Sequence, residues 1–456
     1  MSISLPTREE YRTLFGLAVP VVIVQLGMML MGVVDTIMVG HLNAAALAAV
    51  ALANLYFFCI AVFGMGAVMA LDPLVSQAVG AGDEAGIARS VQRGLITAFI
   101  LAVPSTGLLL LVRPFLELLG QPAELIPLAT RFIYVTAPGM LPFIVFLVFR
   151  QTLQALHRLA PIIVIILVAN LVNAALNWVF IFGRLGAPAL GVAGSALATT
   201  LSRWFMVIAL LIVAWKDLGP RLIPWQRESF QAGALRRMLR LGLPIGAQMF
   251  FEYGIFGLVG TLMGRIGTLA MAGHQIALNL SSLIFMVPLG VGAAAAVLVG
   301  GAVGAEDADR ARRATAGSLL VGSVFMAGAA AVFVFAPVAL ARFYTADRSV
   351  IDMARPLIVL AGIFAIFDGL QAVAMGVLRG IGDTRAPVAI CLVGYWFVGM
   401  PTSVILGFQA GLGPVGLWWG LVAGLAVTAG VLLVRVRIRM RRALERIHID
   451  HPEPVV

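Results

Sequence analysis

VGAGDEAGIARSVQRG at residues 79–94 returns as VGAEDADRARRATAGS at 303–318, with Gly80 matched to Gly304 and Arg89 to Arg313 at a spacing of 224. Other pairs keep nearly the same step: Pro20 with Pro244 (224), Gly191 with Gly416 (225) and Pro161 with Pro387 (226). Self-similarity at a fixed spacing marks a duplicated structural unit, and 456 residues hold two copies.

Each copy is strongly apolar. The chain is 61% hydrophobic and 11% charged, with a mean hydropathy of +1.03, against roughly 25% charged residues in a soluble domain. Apolar stretches of about 20 residues, the length that crosses a hydrocarbon core, begin near 14, 46, 94, 126, 160, 190, 241, 270, 314, 356, 386 and 414. The expected fold is an all-α membrane protein of about twelve transmembrane helices in two pseudo-symmetric six-helix lobes. Six spans return the chain to its starting side, so the copies share an orientation and their symmetry axis runs along the membrane normal. The expected division is an N-lobe at 1–215, a cytoplasmic linker at 216–237, a C-lobe at 238–440 and a cytoplasmic tail at 441–456. An early basic region with a short apolar core and a cleavage site is missing from MSISLPTREEYRTLFGLAVP, so the first span is expected to stay.

A net charge of +10 could point to nucleic acid, but the basic residues sort by membrane side. With an inside N-terminus, 23 of the 31 fall in inside segments, seven in outside loops, and Arg203 within a span. Basic residues favour the cytoplasmic side, which places both termini there and makes the charge a record of topology. Cys59 and Cys391 lie in apolar spans and read as buried small hydrophobes.

The spans carry four acids: Asp35 in GVVDTIMVG (32–40), Asp72, Glu252 and Asp368. Ionisable groups at membrane depth are costly and mark function. Glu252 precedes the outer Gly264 by 12 residues and Asp368 follows the outer Pro356 by 12; at ~1.5 Å per residue both lie ~18 Å from the outer surface. At one depth, the two could share a proton or coordinate a small cation such as Na+. Asp35 lies five residues before Gly40, and Asn177 six before Gly183, so these match in depth too. Asn170, Asn173 and Asn177 share a helical face; a carboxylate facing amides offers oxygen ligands for a hard cation or hydrogen-bond partners for an acid. The charges are not duplicated: the counterparts of Asp35 and Glu252 are Val259 and Met28. Aromatics around Glu252, Phe250, Phe251, Tyr253 and Phe256, can bind a lipophilic cation through ring faces. His274 and Gln275 are expected to pack between helices, with a path-lining role as the alternative. Pro20 and Pro244, matched in the first span of each copy, remove a backbone donor and bend the helix.

GVVDTIMVGHL (32–42), PLVSQAVGAGD (73–83), FFEYG (250–254) and FDGLQ (367–371) with VLRGIGDTRAP (377–387) together resemble the multidrug and toxic compound extrusion (MATE) family, NorM-like branch, from about residue 10 to 440. The resemblance implies two six-helix lobes forming a V around a central cavity. It implies an N-lobe acidic site at Asp35 with Asn173 and Asn177, a C-lobe cation site at Glu252 and Asp368, and helix bending at Pro20. Phe364 stands where many members carry a tyrosine, and Asp72 where the bacterial pattern is commonly neutral. The expected function is an antiporter, not an enzyme. It would expel lipophilic, often cationic compounds across the bacterial cytoplasmic membrane as Na+ or H+ enters, with no cofactor, no nucleic acid and a monomeric state. Glu252, Asp368 and Asp35 would couple the cation, Asn173, Asn177 and Asp72 support it, and Tyr253, Phe251, Phe364 and Gln275 line the substrate cavity. A lipid-linked precursor flippase of related fold is the alternative, though its anionic cargo calls for buried arginines. The lone Lys216 lacks a phosphate loop, which disfavours ATP-driven transport. An intramembrane hydrolase and a channel are the remaining readings.

Overall fold

A computed structural model describes residues 6–450. Among them are twelve helices long and apolar enough to cross a membrane: α1 Arg8–Gly40, α2 Ala44–Gly80, α3 Glu84–Leu110, α4 Leu125–Ala155, α5 Ala160–Phe182, α6 Val192–Val213, α7 Ala232–Ile266, α8 Thr268–Gly304, α9 Ala308–Phe335, α10 Arg348–Gly380, α11 Arg385–Gln409 and α12 Gly413–Arg441. Several begin six to ten residues ahead of their apolar run, because the polar first turns are helical as well. No strand occurs among the described residues. The last six residues of the expected tail lie outside them.

The duplicated stretch that opens the sequence folds twice into the same turn. After α2, the Gly82 N–H donates to the Val79 carbonyl at 3.1 Å and the Asp83 N–H to the Ala78 carbonyl at 2.9 Å. After α8, Glu306 donates to Val303 at 3.0 Å and Asp307 to Ala302 at 2.9 Å. This pair of bonds satisfies the orphan carbonyls at a helix end. It needs one left-handed residue, supplied by Gly82 at φ 65° and Glu306 at φ 57°. The next residue then caps the following helix: Asp83 Oδ1 accepts from the Gly86 N–H and Asp307 Oδ1 from the Arg310 N–H, each at 2.8 Å.

Packing groups the chain into two units. One holds Ala247–Ile447 with the chain up to Val22; the other holds Ile23–Gly246 with the chain from His448. The bounds cut α1 and α7 two residues beyond Pro20 and Pro244, so the packing units and the six-span repeats are different divisions of one chain. Segment 216–237 carries a short helix, Trp215–Leu222, that packs on α3 within the Ile23–Gly246 unit. In that unit Gly66 of α2 meets the backbone of Gly246 on α7; in the other, Gly376 of α10 meets that of Gly292 on α8. With lipid outside, close approach between small residues holds such helices together.

Candidate functional site

In the Ile23–Gly246 unit, α1 carries Asp35 into contact with α5 and α6. Asn177 Nδ2 donates to Asp35 Oδ1 at 2.7 Å, and Thr199 Oγ1 donates to Oδ2 at 2.8 Å. The depth match read between Asp35 and Asn177 is thus a direct hydrogen bond. Asn177 Nδ2 also lies 3.0 Å from the Asn173 carbonyl oxygen and 3.2 Å from Asn173 Oδ1, which ties the asparagine face together. Asn173 and Asn177 are fully buried, Asp35 nearly so. One turn beyond Thr199, the Arg203 guanidinium stacks over Phe57 at 4.3 Å and Phe143 at 5.1 Å, and its charge acts on Asp35. Neither Thr199 nor Arg203 is flagged by the motif pattern.

Asp72 belongs to a separate network. Buried in α2, it accepts through Oδ1 from Gln151 Nε2 of α4 at 2.7 Å. Arg150 reaches from α4 to α1, where its Nη1 donates to Gln25 Oε1 at 2.9 Å.

In the Ala247–Ile447 unit, α7 and α10 bring Glu252 and Asp368 close enough for their charges to interact. Asp368 is buried and Glu252 half-buried. Gln248 Nε2, one turn back on α7, donates to Glu252 Oε2 at 3.1 Å, and Gln371 Nε2 of α10 donates to Oε1 at 3.1 Å. Tyr395 of α11 donates its hydroxyl to Gln371 Oε1 and lies 3.5 Å from Glu252 Oε1. Tyr395 sits in a π-helical stretch, Val393–Gly399, whose Gly394 and Gly399 fit against Gly424 and Thr428 of α12. A wide turn of this kind shifts the side-chain register by one residue and is frequent at functional sites. Gln248 and Gln371 stand four before Glu252 and three after Asp368, so helical spacing alone could have marked them.

The aromatics divide. Phe251 makes edge contacts with Phe250 and Trp396, at 6.1 and 6.5 Å. Phe364 is buried against Phe256 and Trp418, both at 5.9 Å. Tyr253 and Gln275 are exposed on their helices.

A duplicated set of twelve helices long and apolar enough to cross a membrane, with acids set within the spans, defines a polytopic membrane protein of the transporter type. A model of the MatE family matches residues 20–179 and 244–405, once per repeat, with starts 224 residues apart. The chain belongs to the MatE family. It is 37% identical over 443 residues to "Probable multidrug resistance protein NorM" of Bradyrhizobium diazoefficiens, covering 95% of this chain and 94% of the relative. To "Multidrug resistance protein NorM" of Vibrio vulnificus strain YJ016 it is 33% identical over 435 residues, covering 94% and 95%. Among solved structures, a eukaryotic MATE transporter superposes with a TM-score of 0.86 at 24% identity, covering 96% of this chain and 99% of that one. An outward-facing multidrug resistance MATE transporter superposes with 0.85 at 21%, covering 95% and 96%. The fold is that of MATE transporters.

Proposed function

We propose that this chain is a multidrug efflux antiporter of the cytoplasmic membrane, with both termini inside, that expels lipophilic cations while Na+ or H+ enters by alternating access. The observation that carries the reading is the pair Glu252 and Asp368 on neighbouring helices: the half-buried Glu252 accepts from Gln371, one turn along from the buried Asp368, and its partners are neutral glutamine and tyrosine groups. Among the described residues, Glu252's hydrogen-bond partners carry no full positive charge, so a cation from outside meets little competition there. The names of the relatives support the substrate class.

Cations arriving at Glu252 and Asp368 neutralise the site and weaken its hold on a positively charged substrate. Such a ligand moves a two-state equilibrium only by its difference in affinity for the states. Two acids also set the energetics. One-for-one exchange against a monocation is electroneutral and draws nothing from the membrane potential. Two cations inward per monocation outward gain ~2.3 kcal/mol per 100 mV, roughly a 50-fold substrate gradient. Asp35, with its amide and hydroxyl donors, is the second acidic site and contacts substrate or ion in the other unit.

The test is dye efflux from proteoliposomes under separately imposed sodium and pH gradients. Glu252→Gln and Asp368→Asn are expected to abolish gradient-driven efflux while the folded protein stays in the membrane. Efflux persisting in both variants overturns the reading.

A further inference from the structure

On the side of the acid pair away from the arginine-rich end of α12, the structure stacks an ordered column of rings. Phe256 lies one helical turn beyond Glu252 on α7, and Phe364 one turn beyond Asp368 on α10. The two rings meet edge to face at 5.9 Å and 78°. Phe364 then touches Trp418 of α12 at 5.9 Å, and Trp418 touches His274 of α8 at 5.8 Å. His274 is the seventh residue of α8 and Trp418 the sixth of α12, so both sit ~8–9 Å from helix ends at the far face.

His274 and Trp418 are each 1% exposed, and the Nδ1 of one and the Nε1 of the other have no hydrogen-bond partner among the described residues. Buried polar atoms are nearly always satisfied, by protein or by ordered water. Here two orphans occur on rings in contact. Their chemistry is complementary: an indole N–H only donates, whereas a neutral imidazole nitrogen can accept. Beside the ring, Gly260 of α7 projects no side chain; a Cβ there would stand 3.8 Å from His274 Nε2. The edges are polar, the neighbouring position on α7 is a glycine, and the column leads toward two carboxylates.

We propose that His274 and Trp418 form a polar waypoint for a small hydrated monocation moving from the far face to Glu252 and Asp368, with the Phe256–Phe364 pair as the apolar gate between waypoint and acids. The inference rests on the reading that those acids take the coupling ion. His274 touches the cation's water shell, Trp418 donates to it, and the gate opens by rotation of the two phenylalanine rings. In the transport cycle the waypoint sets how readily external cation reaches the acids, not how tightly substrate binds.

The experiment measures dye efflux by the full-length protein in proteoliposomes against external Na+ at fixed pH and against external pH without Na+. The variants are His274→Phe, which keeps ring bulk without the nitrogens, His274→Gln, which keeps polar edges, and Trp418→Phe. His274→Phe and Trp418→Phe are expected to raise the external cation concentration for half-maximal efflux by about tenfold, leaving the saturated rate and dye binding to the solubilised protein unchanged; His274→Gln is expected to restore most of the shift. A merely structural role would lower folded yield or saturated rate instead, without rescue by glutamine, and overturns the proposal. Wild-type half-saturation in both ring variants, with Glu252→Gln inactive, overturns the waypoint and leaves the antiport reading standing. Ion-driven efflux surviving in Glu252→Gln removes the antiport reading itself, and the waypoint with it.

Discussion

The two acidic sites are built on opposite plans. Asp35 has each carboxylate oxygen fixed by a short bond from a neutral side chain, at 2.7 and 2.8 Å, with the Arg203 guanidinium one turn beyond its partner Thr199. Glu252 has longer bonds at 3.1 Å, is half-buried, and faces a second acid. The first plan holds a carboxylate in one place. The second sets two acids side by side among neutral partners, which on the proposed mechanism lets an incoming cation neutralise them. A repeated scaffold thus supplies depth and helix neighbours, while single side chains decide how tightly each carboxylate is held.

The largest expected effect follows from the second plan. Glu252→Gln and Asp368→Asn should each cut gradient-driven efflux by at least about 100-fold, and the double variant should be no worse, since groups acting as a unit lose their effect together. A single variant retaining a tenth of the rate would break the contrast, which the initial rate in proteoliposomes reads directly. The first plan predicts a stability effect. Asp35→Ala takes the charged acceptor from Asn177 and Thr199, which keep only their bonds to Asn173 and to the Ser195 carbonyl, costing ~2–3 kcal/mol, and Asp35→Asn about half of that because the amide oxygen still accepts from Thr199. Glu252→Ala should cost about 1 kcal/mol, because Glu252 is itself half-buried and water can take its place beside the buried Gln248 and Gln371. Thermal unfolding in detergent orders the three.

Tyr395 sharpens the same comparison with a smaller effect. Tyr395→Phe removes the hydroxyl that holds Gln371 toward Glu252. An amide freed to rotate should weaken cation affinity by roughly three- to tenfold, the range of about one hydrogen bond. The protein should still fold; a half-saturation unchanged from wild type would show that Gln371 needs no support.

These outcomes bear on how much could be read from the chain. The duplication, the twelve spans and the depth matches follow from counting, because a membrane helix converts residue number into height. Lateral position is lost in that conversion. Thr199 lies in SALATTLS with no acid nearby in sequence, so nothing there distinguishes it from the hydroxyls that bond their own helix, as Ser202 does to Ala198. Tyr395 depends on a π turn, a register change set by glycine contacts with α12 rather than by composition. The unit bounds inside α1 and α7 are invisible for the same reason: Pro20 and Pro244 announce a bend, but only packing tells which side each half of the helix joins.

Each unit also closes its arginine-rich end with one aspartate shared by two arginines. Asp383 takes Arg435 at 2.8 Å and Arg439 at 3.3 Å; Asp450 takes Arg89 at 2.9 Å and the fully buried Arg93. Burial would raise the Asp450 carboxyl, but the hydrogen bond and charge of Arg93, with Arg89, outweigh it and hold the group below its ordinary value. A lowered carboxyl contributes stability that is complete above the ordinary aspartate value and lost as pH falls through the lowered one. Asp450→Asn should therefore lower the thermal midpoint near neutrality, by the loss of a charged partner to a buried guanidinium. The gap from wild type should close as pH drops below 3.8, the ordinary value. A gap that persists in acid would assign the loss to packing of the tail.

The smallest effect tests the repeat itself. Gly82 and Glu306 occupy the same turn 224 residues apart, both left-handed, at φ 65° and 57°. A side chain there costs ~1–2 kcal/mol by crowding of Cβ, and glycine gives back part of that through a more mobile unfolded chain. Glu306→Gly should then stabilise by up to about 1 kcal/mol, and Gly82→Ala destabilise by about the same, since an added Cβ at Gly82 has nothing within 4 Å to contact. The signs must be opposite if the two copies keep one backbone and differ only in side chain. Equal signs in thermal unfolding would mean that one of the turns relaxes away from the shared geometry, and that the duplication has begun to diverge at the stretch that reveals it.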